Sequence, residues 1–182
     1  MAVCQIDRGL TKENECAYSL PKIVELYLAN FADVTSVTLT SETQEVATIT
    51  MAQGKKFYKI EPAVNSASWS DTLAVGANGN KYRIHTIGFS YSGGYNSDMA
   101  DTVDAFSLGK YIAVARMADG KYIMLGRNTG LEAVADGANN SGSGDATAEA
   151  GLVVSLTANV LEVALPLADA AIATVTGVQV GG

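Results

Sequence analysis

"SDMADTVDAFSLGKYIAVARMADGKYIMLG", residues 97–126, changes its hydrophobic period midway. Over 97–108 the apolar side chains Met99, Val103 and Phe106 recur at i, i+4, i+7, which makes one stripe along a helix. Ser97 suits an N-cap, Asp98 and Asp101 fall in the first turn where the helix dipole favours anions, and Gly109 is placed to close the helix. Beyond it, "KYIAVARM" and "KYIMLG" are strand-like runs on either side of Asp119–Gly120, a dipeptide that suits a type I′ hairpin turn. A helix this short is marginal alone and must be stabilised by packing, most simply on a sheet face.

Upstream the period is two. "KIVELYLAN" places Val24, Leu26 and Leu28 on one face and Ile23, Glu25 and Tyr27 on the other. "DVTSVTLTSET" has the Thr and Val content of a pleated surface. "QEVATITMAQGKKFYKIEPAV" reads as two strands joined at Ala52–Lys55, with Gly54 in the turn. A second turn, Gly76–Asn80, separates Leu73–Val75 from a longer strand, Lys81–Tyr91. Downstream, residues 135–150 carry three acids, no base and no large apolar side chain, which predicts a long polar loop or projecting arm. "GLVVSLTANVLEVALPLADAAIATVTGVQVGG" predicts one or two closing strands, with Pro166 at the break. The expected fold is therefore mainly β: one antiparallel β-sandwich or barrel domain, with one short flanking α-helix at about 97–108. Residues 1–20 form an N-terminal arm and 135–150 a loop.

Composition narrows the function. The chain has 182 residues, 48% of them hydrophobic and 17% charged, which is a globular composition. Its mean hydropathy is +0.15, yet no apolar run approaches the roughly 20 residues of a membrane helix. Part of that apolar surface is expected to be covered by other copies of the chain. All 12 Lys and Arg lie within residues 1–127, whereas residues 128–182 hold six acids (Glu132, Asp136, Asp145, Glu149, Glu162 and Asp169) and no base. Such a segment repels phosphate, so tight nucleic-acid binding is not expected. The opening carries no apolar leader, and synthesis in the cytoplasm is expected. Cys4 and Cys16 read as reduced thiols, or as a disulfide formed later in an oxidising setting.

Catalytic and ligand motifs are weak. His85 is the one histidine, set in a strand with Arg83 and Ile87 on its face and no nucleophile marked beside it. Asp98, Asp101 and Asp104 share the polar face of the predicted helix and read as solvated. The loop Asp136–Glu149 fails the calcium-loop spacing, and phosphate-binding glycine motifs do not occur. Trp69, Tyr58, Tyr82 and Tyr91 are dispersed, as core packing requires more than a sugar platform does. The expectation is a non-enzymatic protein with no catalytic residue, cofactor or metal.

The order of elements resembles the tail-tube proteins of long-tailed bacteriophages and the related type VI secretion tube. The resemblance rests on the Lys81–Tyr91 strand, the Ser97–Leu108 helix, the Lys110–Gly126 hairpin and Ala135–Ala150 as candidate arm. "CQIDRG…C", "KKFYKIE" and "LGRNTGLE" also look like small virion proteins of phages infecting Bacteroidetes. The likeness implies a virion protein of the tail. Hexameric rings would stack into a tube, with sheets of neighbouring subunits closing one barrel, the helix outside it, and DNA passing a lumen that is often acidic. Its partners would be itself and other tail or head proteins. It would place Asp136, Asn139, Asn140, Asp145 and Glu149 in the assembly arm, and Met99, Val103 and Phe106 in helix packing. A head–tail joining, tail-completion or capsid-decoration protein is the nearest alternative. A carbohydrate-binding β-sandwich adhesin using Trp69 is the more distant one.

Overall fold

The computed structural model of the chain describes residues 22–41, 43–92, 97–142 and 151–177. In chain order these form β1 (Ile23–Asn30), β2 (Val34–Leu39), β3 (Val46–Met51), β4 (Tyr58–Ile60), β5 (Ser68–Val75), β6 (Lys81–Tyr91) and α1 (Ser97–Leu108). There follow β7 (Lys110–Met117), β8 (Tyr122–Leu125), β9 (Leu131–Ser141), β10 (Gly151–Val160), β11 (Leu165–Pro166) and α2 (Asp169–Thr176). The strands pair antiparallel, as expected.

One sheet runs β4–β1–β7–β9–β10–β6–β5, and β8 with β11 branches from β7. Along one margin β7 bonds β1; along the other, Ala113–Arg116 face β8 and Lys110–Tyr111 face β9. β7 and β1 are therefore wrapped on both faces, which is why "YIAVA" is a continuous apolar run and not an alternating one. Leu26, Leu28, Ala113 and Ala115 face a first core with Ile87 and Phe89 of β6, Leu152, Val154 and Leu156 of β10, and Phe106 of α1. Tyr27, Ala29, Ile112 and Val114 face a second core, closed by Val46 and Ile49 of β3 and by Ala171 and Val175 of α2.

α1 lies where the sequence placed it, with Met99, Val103 and Phe106 against the first core. Ser97 is its first residue, and the position before it lies outside the described residues. Gly109 ends the helix, but not in the left-handed conformation of a C′ glycine. Its amide still bonds Ala105 O, and a Cβ would sit 2.3 Å from the Tyr111 hydroxyl, which itself donates to Ala105 O at 2.5 Å. Glycine is needed there for space.

Several local expectations are corrected. In β1 the register slips between Ile23 and Glu25, so Val24 is the extra residue; Ile23 joins Leu26 and Leu28 in the first core while Val24 is exposed. β3 and β4 are both present, with Gly54 at φ +75° between them, yet they are not partners: β3 pairs with β2 and β4 with β1. At Asp119–Gly120 only Gly120 has positive φ, and Met117 N–H bonds Lys121 O. That is a type I turn with a G1 bulge, not a type I′ turn.

The expected loop is largely strand on its first side. β9 continues to Ser141 and pairs Ala138–Ser141 with Gly151–Val154 of β10, so main-chain bonding overrides a sequence poor in strand formers. Residues 143–150 lie outside the described residues. A bulge at Val134–Gly137 interrupts that ladder, and Asp136 adopts φ +61° there. A Cβ on Gly137 would meet Ser155 O at 2.5 Å and Val134 O at 2.7 Å. The closing segment adds a second helix where only strands were expected. In α2 the alanines favour helix, Ala171 and Val175 form an i, i+4 buried pair, and Gly177 at φ +69° caps the end. Pro166 lies inside the short edge strand β11 instead of marking a break.

Candidate assembly edge

β5 and β6 form a long hairpin in full register from Ser68↔Gly88 to Val75↔Lys81. Among the described residues β5 pairs with β6 alone, and no described strand bonds the backbone N–H and C=O groups of its other margin. Trp69, Asp71, Leu73 and Val75 alternate onto the inner face. Trp69 packs on the first core, but Leu73 and Val75 run past the end of that core and are 55% and 60% exposed. Leu161 and Val163, just beyond β10, are exposed at the same end.

A group of charged side chains fastens this hairpin. Asp71 accepts from Arg83 Nε at 2.5 Å and from Ala164 N–H at 2.9 Å, which ties β5 to β6 and to the segment after β10. His85, opposite Asp71 and 1% exposed, accepts the Gly126 N–H on Nδ1 at 3.2 Å. Its Nε2 stands 3.5 Å from Asp71 Oδ1, too far for a good hydrogen bond. Burial pulls the His85 pKa below its ordinary value, against the opposing pull of Asp71 and Glu162. Protonating Nδ1 would set an N–H against the Gly126 N–H. His85 is therefore held neutral and links β6 to the Gly126 backbone.

A histidine with a depressed folded pKa contributes stability above its unfolded value of about 6.5 and loses it as the pH falls towards the folded one. Urea midpoints of the wild type should fall between about pH 7.5 and about pH 5.5, and His85→Gln should have the shallower dependence. Parallel curves would refute the role.

The other end of the sheet is also open. Among the described residues β4 pairs with β1 alone. Between β4 and α1 runs a groove with two lobes of about 520 and about 420 Å³. Ile60, Thr102 and Phe106 line both lobes. Asp98 and Asp101 stand on the helix wall, and neither has an ion pair among the described residues.

The residues expected in the arm are placed differently. Asp136 is exposed in the β9 bulge and Asn139 donates to its carbonyl at 2.7 Å; Asn139 and Asn140 lie opposite Val153 and Leu152 in the ladder. Asp145, Glu149, Cys4 and Cys16 lie outside the described residues. Three described acids of the last third have local roles: Glu132 pairs with Lys110, Glu162 accepts from Asn128, and Asp169 starts α2. Sequence reading missed Leu73, Val75 and the Asp71 fastening. The signal was present in "WSDTLAV", where Trp, Asp, Leu and Val fall on one parity. The chain matches no family model, no curated protein and no solved structure.

Proposed function

We propose that the protein is a self-assembling structural subunit of a virus particle, a bacteriophage tail-tube subunit that forms rings. The observation that carries this reading is the open β5 margin with Leu73 and Val75 uncovered beside it. A long edge strand bearing exposed apolar residues is a template for pairing with another chain, and single chains ordinarily blunt such edges with charge, proline or a bulge. β5 carries none of the three over Thr72–Val75, and its pairing with β6 is regular. The antiparallel fold with α1 packed against the sheet agrees with the tube reading, as does the chain's net charge of −7 for a wall that DNA must slide past.

The test is direct. Purified wild type at high concentration should show rings or tubes by negative-stain microscopy. The double substitution Leu73→Lys/Val75→Lys lies on exposed positions, so it should leave the fold intact while weakening association by at least about tenfold. Wild type that stays monomeric at every concentration would overturn the proposal.

A further inference from the structure

β4 and β5 are the two ends of a single hydrogen-bonded path, β4–β1–β7–β9–β10–β6–β5. A subunit with two unlike open ends can join its neighbour head to tail, and such heterologous contacts close into rings or run on as filaments. Resting on the self-assembly proposed above, we infer that β5 of one copy lies along β4 of the next, seated in the groove beneath α1.

Three features match donor to acceptor. The first is parity. Tyr58 and Ile60 of β4 lie opposite Leu28 and Leu26, on the side of β1 that faces the first core. Leu73 and Val75 lie on the same inner face of their own strand, so a β5 added to β4 brings them alongside Tyr58 and Ile60. The second is the surface to be covered. Leu73 and Val75 are the uncovered apolar residues of the donor strand, and the groove is lined by the partly buried Ile60, with Tyr58 half exposed at its mouth. The third is charge. Lys81 sits opposite Val75 and has no ion pair among the described residues, while Asp98 and Asp101 on the groove wall have none either. Joining the strands brings this cation to those carboxylates. β5–β5 pairing between two copies would instead leave the groove empty and set Lys81 against no acid of α1.

Two variants separate these arrangements. Thr102→Trp fills the groove from an exposed position of α1 and spares the donor strand. Leu73→Lys/Val75→Lys spoils the donor and spares the groove. Sedimentation should show each variant alone as a monomer and their equimolar mixture as a one-to-one dimer, because only one productive joint remains. Asp101→Lys, which keeps the packing, should weaken wild-type association at least about tenfold at low salt and less at high salt. Assembly of Thr102→Trp at wild-type strength, or a mixture that stays monomeric while wild type assembles, would overturn the joint and leave the β5 reading standing. Wild type that never associates would bring down both.

Discussion

Phe106→Ala is expected to cost about 3–5 kcal/mol, measured as the drop in urea unfolding free energy. Phe106 is the buried anchor of α1, edge-on to Phe89 at 5.8 Å between ring centroids and tilted against Tyr111 at 5.4 Å. Removing the ring leaves a cavity and takes away the aromatic pairing. There is a second consequence. A helix of this length holds only through its packing, and Met99 and Val103 are only partly buried. α1 should therefore loosen before the sheet melts, and the helical circular dichroism should fade at lower urea than the tyrosine fluorescence changes. Coincident transitions at wild-type midpoints would show that the helix is not held this way.

Asp71→Ala is expected to cost about 2–3 kcal/mol. One carboxylate accepts from Arg83 and from the Ala164 N–H, and its loss leaves both donors short of a partner. The figure is set below that of a fully buried ion pair because the Arg83 side chain is 30% exposed and water can take over part of its hydration. Asp71→Asn retains an acceptor oxygen and should recover part of the loss. A double-mutant cycle with Arg83→Met should give a coupling near 1 kcal/mol or more. Simple additivity would show that the short contact contributes nothing.

The parts of the fold that were legible in the sequence are those governed by local pattern. The Met99–Val103–Phe106 stripe named the helix and its buried face, and "NGN" and "DG" named two turns that exist. What was missed depends on partners distant in sequence. The 135–141 segment has the composition of a loop and becomes strand because β10 offers it a ladder. α2 falls in the stretch read as one or two closing strands, and is helix because Ala171 and Val175 find the second core one turn apart. Val24 and Ile23 exchanged faces through a bulge that nothing in "KIVELYLAN" announces. For the candidate edge, alternation in "WSDTLAV" was readable, but where the covering layer stops is a property of the whole molecule. That boundary is what leaves Leu73 and Val75 bare.

The pairing of β1 with β7 has a consequence for how the chain reaches this state. Leu26 and Leu28 take their places opposite Ala115 and Ala113, residues made long after them. During synthesis β1 therefore leaves the ribosome with both apolar faces unclothed, and neither core can condense until residue 117 has emerged. Closing so large a loop is slow, so the apolar residues of β1 stay exposed for longer than those of the hairpin that completes them.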